Sequence, residues 1–233
     1  MDRLEGAAGA LRTTGQPLDE HMYETQPMKT IIPRGAGALS LPNLFTYGRI
    51  LAVPLLVLSF YLEGTASRWL SFTIFIAATV SDFLDGYFAR TLKQQSAIGK
   101  MLDPIADKLL VATSLLLLVS DGTISRWSVL AAVVILTREI LVSGLREYLA
   151  QWQVSVPVSR LAKWKTTMQM VAIGFLLAGP AGDKLFRYYV SDIIGLFSYI
   201  GLLLLWVSAL ITLYTGYDYF RAGLRHLMEE EET

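Results

Sequence analysis

The sequence predicts an all-α integral membrane protein with six transmembrane helices and a polar active-site chamber at the cytosolic interface. Three observations lead there. Of the 233 residues, 53% are apolar and only 17% are charged, with mean hydropathy +0.45. A soluble domain of this size needs more polar residues than that to cover its surface. The apolar residues gather in six segments, most of them close to the roughly 20 residues of a helical span. The charges inside those segments all fall towards one end of the bundle that antiparallel helices make.

The same composition excludes whole classes of function. A chain this apolar is not disordered. Lys+Arg and Asp+Glu are both 20, so the net charge is zero and there is no basic excess for a nucleic-acid partner. Cysteine is absent, which removes disulfides, thiolate metal sites and cysteine nucleophiles together. The two histidines, His21 and His226, stand near the ends of the chain. Chemistry must rest on carboxylates, lysines, arginines and hydroxyls.

Taken in order, residues 1–38 form a polar head that reads as a flexible cytosolic extension. Its alternative reading is a short helix near Met28 to Ile32 lying on the bilayer surface. No basic-then-apolar pattern marks a cleaved signal peptide. The membrane domain covers 39–227, with spans at about 43–63, 68–91, 103–121, 127–149, 164–181 and 191–217. They are read as helices because open sheets cannot cross a bilayer. Residues 228–233 form an acidic tail, read as a solvated end.

Charge position orders these spans. Arg49 lies near the start of the first. Asp82 and Asp85 lie near the end of the second, and Asp103 and Asp107 open the third. Arg138, Glu139 and Arg146 occupy the later half of the fourth. Lys163 and Lys165 precede the fifth, and Asp218 and Arg221 follow the sixth. Antiparallel helices bring all of these to one layer. Of the 20 Lys and Arg, all but Arg68, Arg126, Lys184 and Arg187 fall on that side. The positive-inside rule puts the layer and both termini in the cytoplasm, on the inner (cytoplasmic) membrane. Trp152, Trp164, Tyr188 and Tyr189 near span ends read as interface belts.

The chemistry concentrates in SDFLDGYFARTLKQQSAIGKMLDPIADK. Asp82, Asp85, Gly86 and Ala89 follow i, i+3, i+4, i+7 spacing and share one helix face. Two carboxylates thus stand beside two residues with almost no side chain, leaving room for a bulky ligand. Arg90 adjoins that face and can hold a phosphate. Asp103 before Pro104 suits an N-cap opening the third span, and Asp107 follows one turn on. If spans two and three pack as a hairpin, four carboxylates converge. Such a cluster needs cations. Oxygen-only ligands favour hard divalent ions, magnesium first, with manganese or calcium on the same ligands. Two such ions clamp a pyrophosphate for in-line displacement at phosphorus. Against this stands a plain reading of the aspartates as caps and helix-end solvation, which fits Asp103 alone better than all four.

The run resembles the signature of the CDP-alcohol phosphatidyltransferases, D-x2-D-G-x2-A-R-x8-G-x3-D-x3-D. Asp82, Asp85, Gly86, Ala89, Arg90, Gly99, Asp103 and Asp107 fill its eight positions across 26 residues without a departure. The resemblance extends through the membrane domain, including LPNLFTYGRI at its start. TREILVSGLREYLA and KWKTTMQM resemble the bacterial phosphatidylglycerophosphate synthase branch. The head is longer than that branch leads one to expect.

The resemblance implies CDP-diacylglycerol as donor, with its nucleotide at the cytosolic interface and its acyl chains in membrane lipid. It implies two divalent metals held by Asp82, Asp85 and Asp103, with Asp107 near them as general base. It implies that Gly86 and Ala89 make room for the nucleotide, that Arg90 contacts the pyrophosphate, and that Gly99 belongs to the same nucleotide-binding set. Asn43, Thr46 and Arg49 fit the family's P-N-x-x-T-x-x-R pattern and are assigned to the nucleotide pocket. Asn43 reads equally well as a helix N-cap after Pro42. A homodimer follows from the resemblance alone.

The acceptor is expected to be a small anionic alcohol. Arg138, Arg146, Lys163 and Lys165 supply cations suited to its phosphate, and Arg160 can join them. Glu139, Ser143 and Arg146 share a helix face, so Glu139 can position Arg146. Interfacial anchoring is the competing reading of the lysines. The sequence therefore reads as an enzyme that moves a phosphatidyl group from CDP-diacylglycerol to glycerol 3-phosphate. Serine, inositol phosphate or phosphatidylglycerol would be the acceptor in another branch. A cation transporter is the reading from a different class, disfavoured because the carboxylates sit at one edge and no internal repeat is seen.

Overall fold

The computed structural model describes residues 41–92, 97–151, 160–190 and 195–231. Six helices account for nearly all of them: α1 (Leu41–Phe60), α2 (Thr65–Leu92), α3 (Ala97–Ser120), α4 (Ser128–Gln151), α5 (Arg160–Val190) and α6 (Leu196–Glu231). No strand occurs among the described residues. Each apolar segment has its helix. The polar head, residues 1–38, lies outside the described residues.

Boundaries differ from expectation in two informative places. α3 begins at Ala97, so Asp103 and Pro104 lie in its second turn and Asp103 is not an N-cap. The cost there is one backbone bond, because Pro104 has no N–H to offer the carbonyl a turn earlier. α6 continues to Glu231, so most of the acidic tail extends the helix.

Three helices contain a stretch long and apolar enough to cross a membrane: Asn43–Phe60, Ser128–Leu149 and Leu196–Arg221. The described parts of α2, α3 and α5 do not reach that threshold. Their charged halves, with Asp82 in α2, Asp103, Asp107 and Lys108 in α3, and Lys165 in α5, account for the lower hydropathy. Large apolar side chains stand exposed on the outer faces, among them Leu51, Leu55 and Leu58 of α1 and Leu203, Leu210 and Leu213 of α6. Exposed apolar surface on this scale suits hydrocarbon better than water.

The core runs between the helices through Leu56, Phe75, Leu115, Leu118, Ile135, Ile173, Leu176 and Leu205. α1 packs on α2 and α3, α4 on α6 and α3, and α5 on α6, α2 and α3. The α1–α2 turn closes through Gly64, whose φ of 89° favours glycine. Ser59 Oγ and Ser71 Oγ lie 2.6 Å apart across it, and Ser67 Oγ donates to the Ser59 carbonyl. Arg68 at the start of α2 pairs with Asp121 just beyond α3. Asp183 near the end of α5 accepts from the Phe197 N–H at 2.7 Å and from Ser198 Oγ at 2.8 Å, capping the start of α6.

α5 and α6 approach closely because a glycine on each receives a large side chain of the other, Gly201 receiving Leu176 and Gly182 receiving Phe197. A Cβ on Gly201 would sit 2.7 Å from Leu176 Cγ, and one on Gly182 would sit 2.8 Å from the Phe197 ring. Small residues at such contacts let helix backbones pack tightly in a membrane. Gly201→Ala is therefore expected to destabilise the protein by ~1–3 kcal/mol through overpacking. Gly48→Ala, inside α1 at a position with nothing within 4 Å, should be neutral or stabilising by up to ~1 kcal/mol. Thermal unfolding of both variants in detergent checks the contrast.

Candidate active site

The polar layer is built from α1 outward. Asn43, Thr46 and Arg49 recur every three residues on α1, and all three are buried. Asn43 is the third residue of the helix, inside the first turn, so the N-cap reading does not describe it. Thr46 Oγ1 donates to Asp103 Oδ1 at 2.5 Å. The Arg49 guanidinium forks: Nη2 reaches Asp82 Oδ1 at 2.8 Å, and Nη1 reaches Asp107 Oδ1 at 2.6 Å. One α1 face thereby gathers a carboxylate of α2 and two of α3.

The Arg49 side chain is 0% exposed, whereas those of Asp82 and Asp107 are 44% and 42% exposed. The carboxylates thus look to solvent while their counter-ion is sealed behind them. Among the described residues no three acidic or histidine side chains form a ready cation cage. Of the four carboxylates expected to converge, Asp82, Asp103 and Asp107 meet α1, and the Asp85 side chain lies outside the described residues. Like charges cannot be packed together without a cation, and here Arg49 supplies one. Asp82 and Asp107 share the one guanidinium and Asp103 meets only the neutral Thr46 hydroxyl, which leaves a negative excess on oxygen ligands of the kind hard divalent cations take.

Asp85, Gly86, Ala89 and Arg90 lie on α2 after Asp82, and their side chains are outside the described residues. Gly99 lies in the first turn of α3 and is buried. Arg49, assigned from sequence to the nucleotide pocket, points its guanidinium at the carboxylates.

A second polar group joins α4, α5 and α6. Lys165, buried at the start of α5, pairs with Glu139 of α4. Arg138 lies 3.4 Å from Glu139 and 3.3 Å from Thr215 Oγ1 of α6, both long contacts. Gly216 makes space for it, since a Cβ there would lie 3.0 Å from Arg138 Cγ. The Tyr219 ring has the Arg138 and Arg146 guanidinium carbons 5.8 and 5.6 Å from its centroid, within cation–π range. Lys108 of α3 donates to Ser143 of α4, linking this group to the carboxylate end. The structure thus brings three of the expected acceptor cations into one group, with Arg138 and Lys165 both on Glu139 Oε1 and Arg146 beside Arg138 at Tyr219. Arg138 and Arg146 share an aromatic face, Lys165 is tied into the packing, and the Lys163 and Arg160 side chains lie outside the described residues.

Sequence reading passed over the α6 face of Ser208, Thr212, Thr215 and Tyr219, all buried, and Gln169 of α5. Their signal was present as i, i+4, i+7, i+11 spacing of polar atoms inside an apolar run. Lys108 carried no such signal.

The chain whose α1 holds these aspartates through Thr46 and Arg49 belongs to a transferase class. Residues 39–214 match the CDP-alcohol phosphatidyltransferase family, and the chain is a member of it. Curated relatives carry the name CDP-diacylglycerol–glycerol-3-phosphate 3-phosphatidyltransferase. One from Rickettsia bellii is 44% identical over 183 residues, covering 78% of this chain and 94% of the relative. One from Cereibacter sphaeroides is 39% identical over 218 residues, covering 82% and 99%. One from Shigella flexneri is 37% identical over 193 residues, covering 82% and 98%.

The Lys165–Glu139 pair yields a direct test of support against substrate contact. Glu139→Gln strands a buried ammonium and should cost ~3 kcal/mol of stability. Adding Lys165→Met in the same chain should recover part of that loss. Thermal unfolding of the single and double variants measures the coupling.

Proposed function

We propose that this protein is a multi-pass membrane enzyme that transfers the phosphatidyl group of CDP-diacylglycerol to glycerol 3-phosphate, giving phosphatidylglycerophosphate and CMP in phospholipid biosynthesis. All six helices span, α2, α3 and α5 with their charged halves turned into a chamber at the cytosolic face of the inner membrane. Both termini are cytoplasmic. The observation that carries the reading is the complete eight-position signature, with Asp82, Asp103 and Asp107 brought to one face of α1.

In the reaction the sn-1 hydroxyl oxygen of glycerol 3-phosphate attacks the lipid-side phosphorus. The bond from that phosphorus to the bridging oxygen breaks, and CMP departs with the electron pair. Asp107 takes the hydroxyl proton. Asp82, Asp85, Asp103 and Asp107 hold two divalent cations, magnesium in the first instance and manganese on the same ligands. When bound, these ions offset charge on the pyrophosphate and the leaving CMP. Gly86 and Ala89 leave room for the nucleotide, with Asn43 and Gly99 in the same wall. Arg90 contacts the pyrophosphate, and Thr46 keeps Asp103 in position. Arg138, Arg146 and Lys163 bind the acceptor phosphate, while Lys165 acts through Glu139. Two copies of the chain pair as a homodimer.

CMP release from CDP-diacylglycerol in proteoliposomes, with each acceptor supplied in turn, tests the reading. Release with glycerol 3-phosphate supports it. Release only with serine, inositol phosphate or phosphatidylglycerol would move the protein to another branch, and no release with any would end the transferase reading.

Chelation should abolish turnover, and added magnesium or manganese should restore it. Asp82→Asn, Asp85→Asn and Asp103→Asn should each lose activity while remaining inserted; full activity in two of them would sink the two-metal assignment. At the acceptor end, Arg138→Ala and Arg146→Ala should raise KM for glycerol 3-phosphate far more than that for CDP-diacylglycerol. A charge-assisted contact of ~1.5–3 kcal/mol corresponds to roughly ten- to a hundredfold in kcat/KM. Separate KM values for the two substrates decide it.

A further inference from the structure

We propose that Arg49 is the built-in counter-ion of the cation site: it holds Asp82 and Asp107 together in the metal-free protein and competes with divalent cations for them, so that it sets how tightly the site loads. This rests on the reading of Asp82 and Asp107 as metal ligands.

Geometry carries the argument. The guanidinium contacts one oxygen of each carboxylate, at 2.8 and 2.6 Å, and its side chain is fully shielded from solvent. A planar fork suits two acceptors at once. A divalent cation drawn by Asp82 and Asp107 approaches from their solvent side and meets a fixed positive charge behind them. It must either accept that repulsion or displace Arg49 from at least one oxygen.

Thr46 is placed differently. It holds Asp103 by a neutral hydroxyl, so it orients a ligand without opposing a cation. The same α1 face therefore contains one group that orients and one that competes. The metal-free site is held assembled, because Arg49 links α2 to α3 through α1.

The test uses the full chain in detergent, with Mn2+ as the probe. Free Mn2+ is followed by electron paramagnetic resonance, and thermal unfolding is followed in chelator. Arg49→Gln is expected to melt several degrees lower without metal and yet bind Mn2+ about tenfold tighter. Equal or weaker Mn2+ binding would overturn the proposal, since Arg49 would then only scaffold the ligands. Should Arg49→Gln fail to fold, Arg49→Lys keeps a charge but cannot fork. Because its charge still opposes the cation while one carboxylate is released, it is expected to bind Mn2+ at the parent level or up to severalfold tighter, and severalfold weaker binding overturns the proposal. Asp82→Asn separates the two readings. If the parent binds Mn2+, Asp82→Asn loses it and Arg49→Gln does not gain, only the counter-ion role falls. If the parent binds no Mn2+, the metal reading falls and takes this proposal with it.

Discussion

The buried guanidinium of Arg49 joins three helices through two ion pairs, and the arrangement of the carboxylates depends on it. Burying a cation is costly unless charge and hydrogen bonds surround it. Asp82 from α2 and Asp107 from α3 meet that need at 2.8 and 2.6 Å. Thr46 one turn earlier adds Asp103. The two helices that contribute the acidic signature are thus referenced to a third, which itself carries no acid. Each of these contacts spans more than 30 residues of sequence, so the site forms only when α1, α2 and α3 have packed.

Much of this was legible in the sequence, for identifiable reasons. Apolar length gave six helices, because a bilayer leaves the backbone few other ways to satisfy its hydrogen bonds. The carboxylates were legible because their spacing is a helix period. The partner of Arg49 was not. Sequence spacing relates residues within one helix, whereas Arg49 meets Asp82 and Asp107 across helices. For the same reason Lys165 read as a free cation, although Glu139 lies against it from another helix. The start of α3 was misjudged because Asp103 before Pro104 is a strong opening signal, yet Ala97 to Leu102 already continue the helix. The α6 polar face was hidden by averaging, since Ser208, Thr212 and Thr215 are diluted by the apolar residues between them.

Polar groups inside an apolar bundle have to be used or matched. The α4–α6 group is matched unevenly. Glu139 matches buried Lys165, while Arg138 makes only long contacts with Glu139 and Thr215. A guanidinium so loosely held, stacked near Tyr219 with a second one, is suited to accept an anion from outside. Lys108 of α3 reaches Ser143 of α4 and so connects this group to the carboxylate end.

The central claim is that α1 organises the acidic cluster through Arg49. A double-mutant cycle measures it most directly, with Arg49→Gln and Asp107→Asn, singly and together, in thermal unfolding of the metal-free protein. A coupling of about 1 kcal/mol or more is expected, because the pair is close and its Arg49 side is shielded from water although Asp107 is half-exposed. Strict additivity of the two substitutions would contradict it.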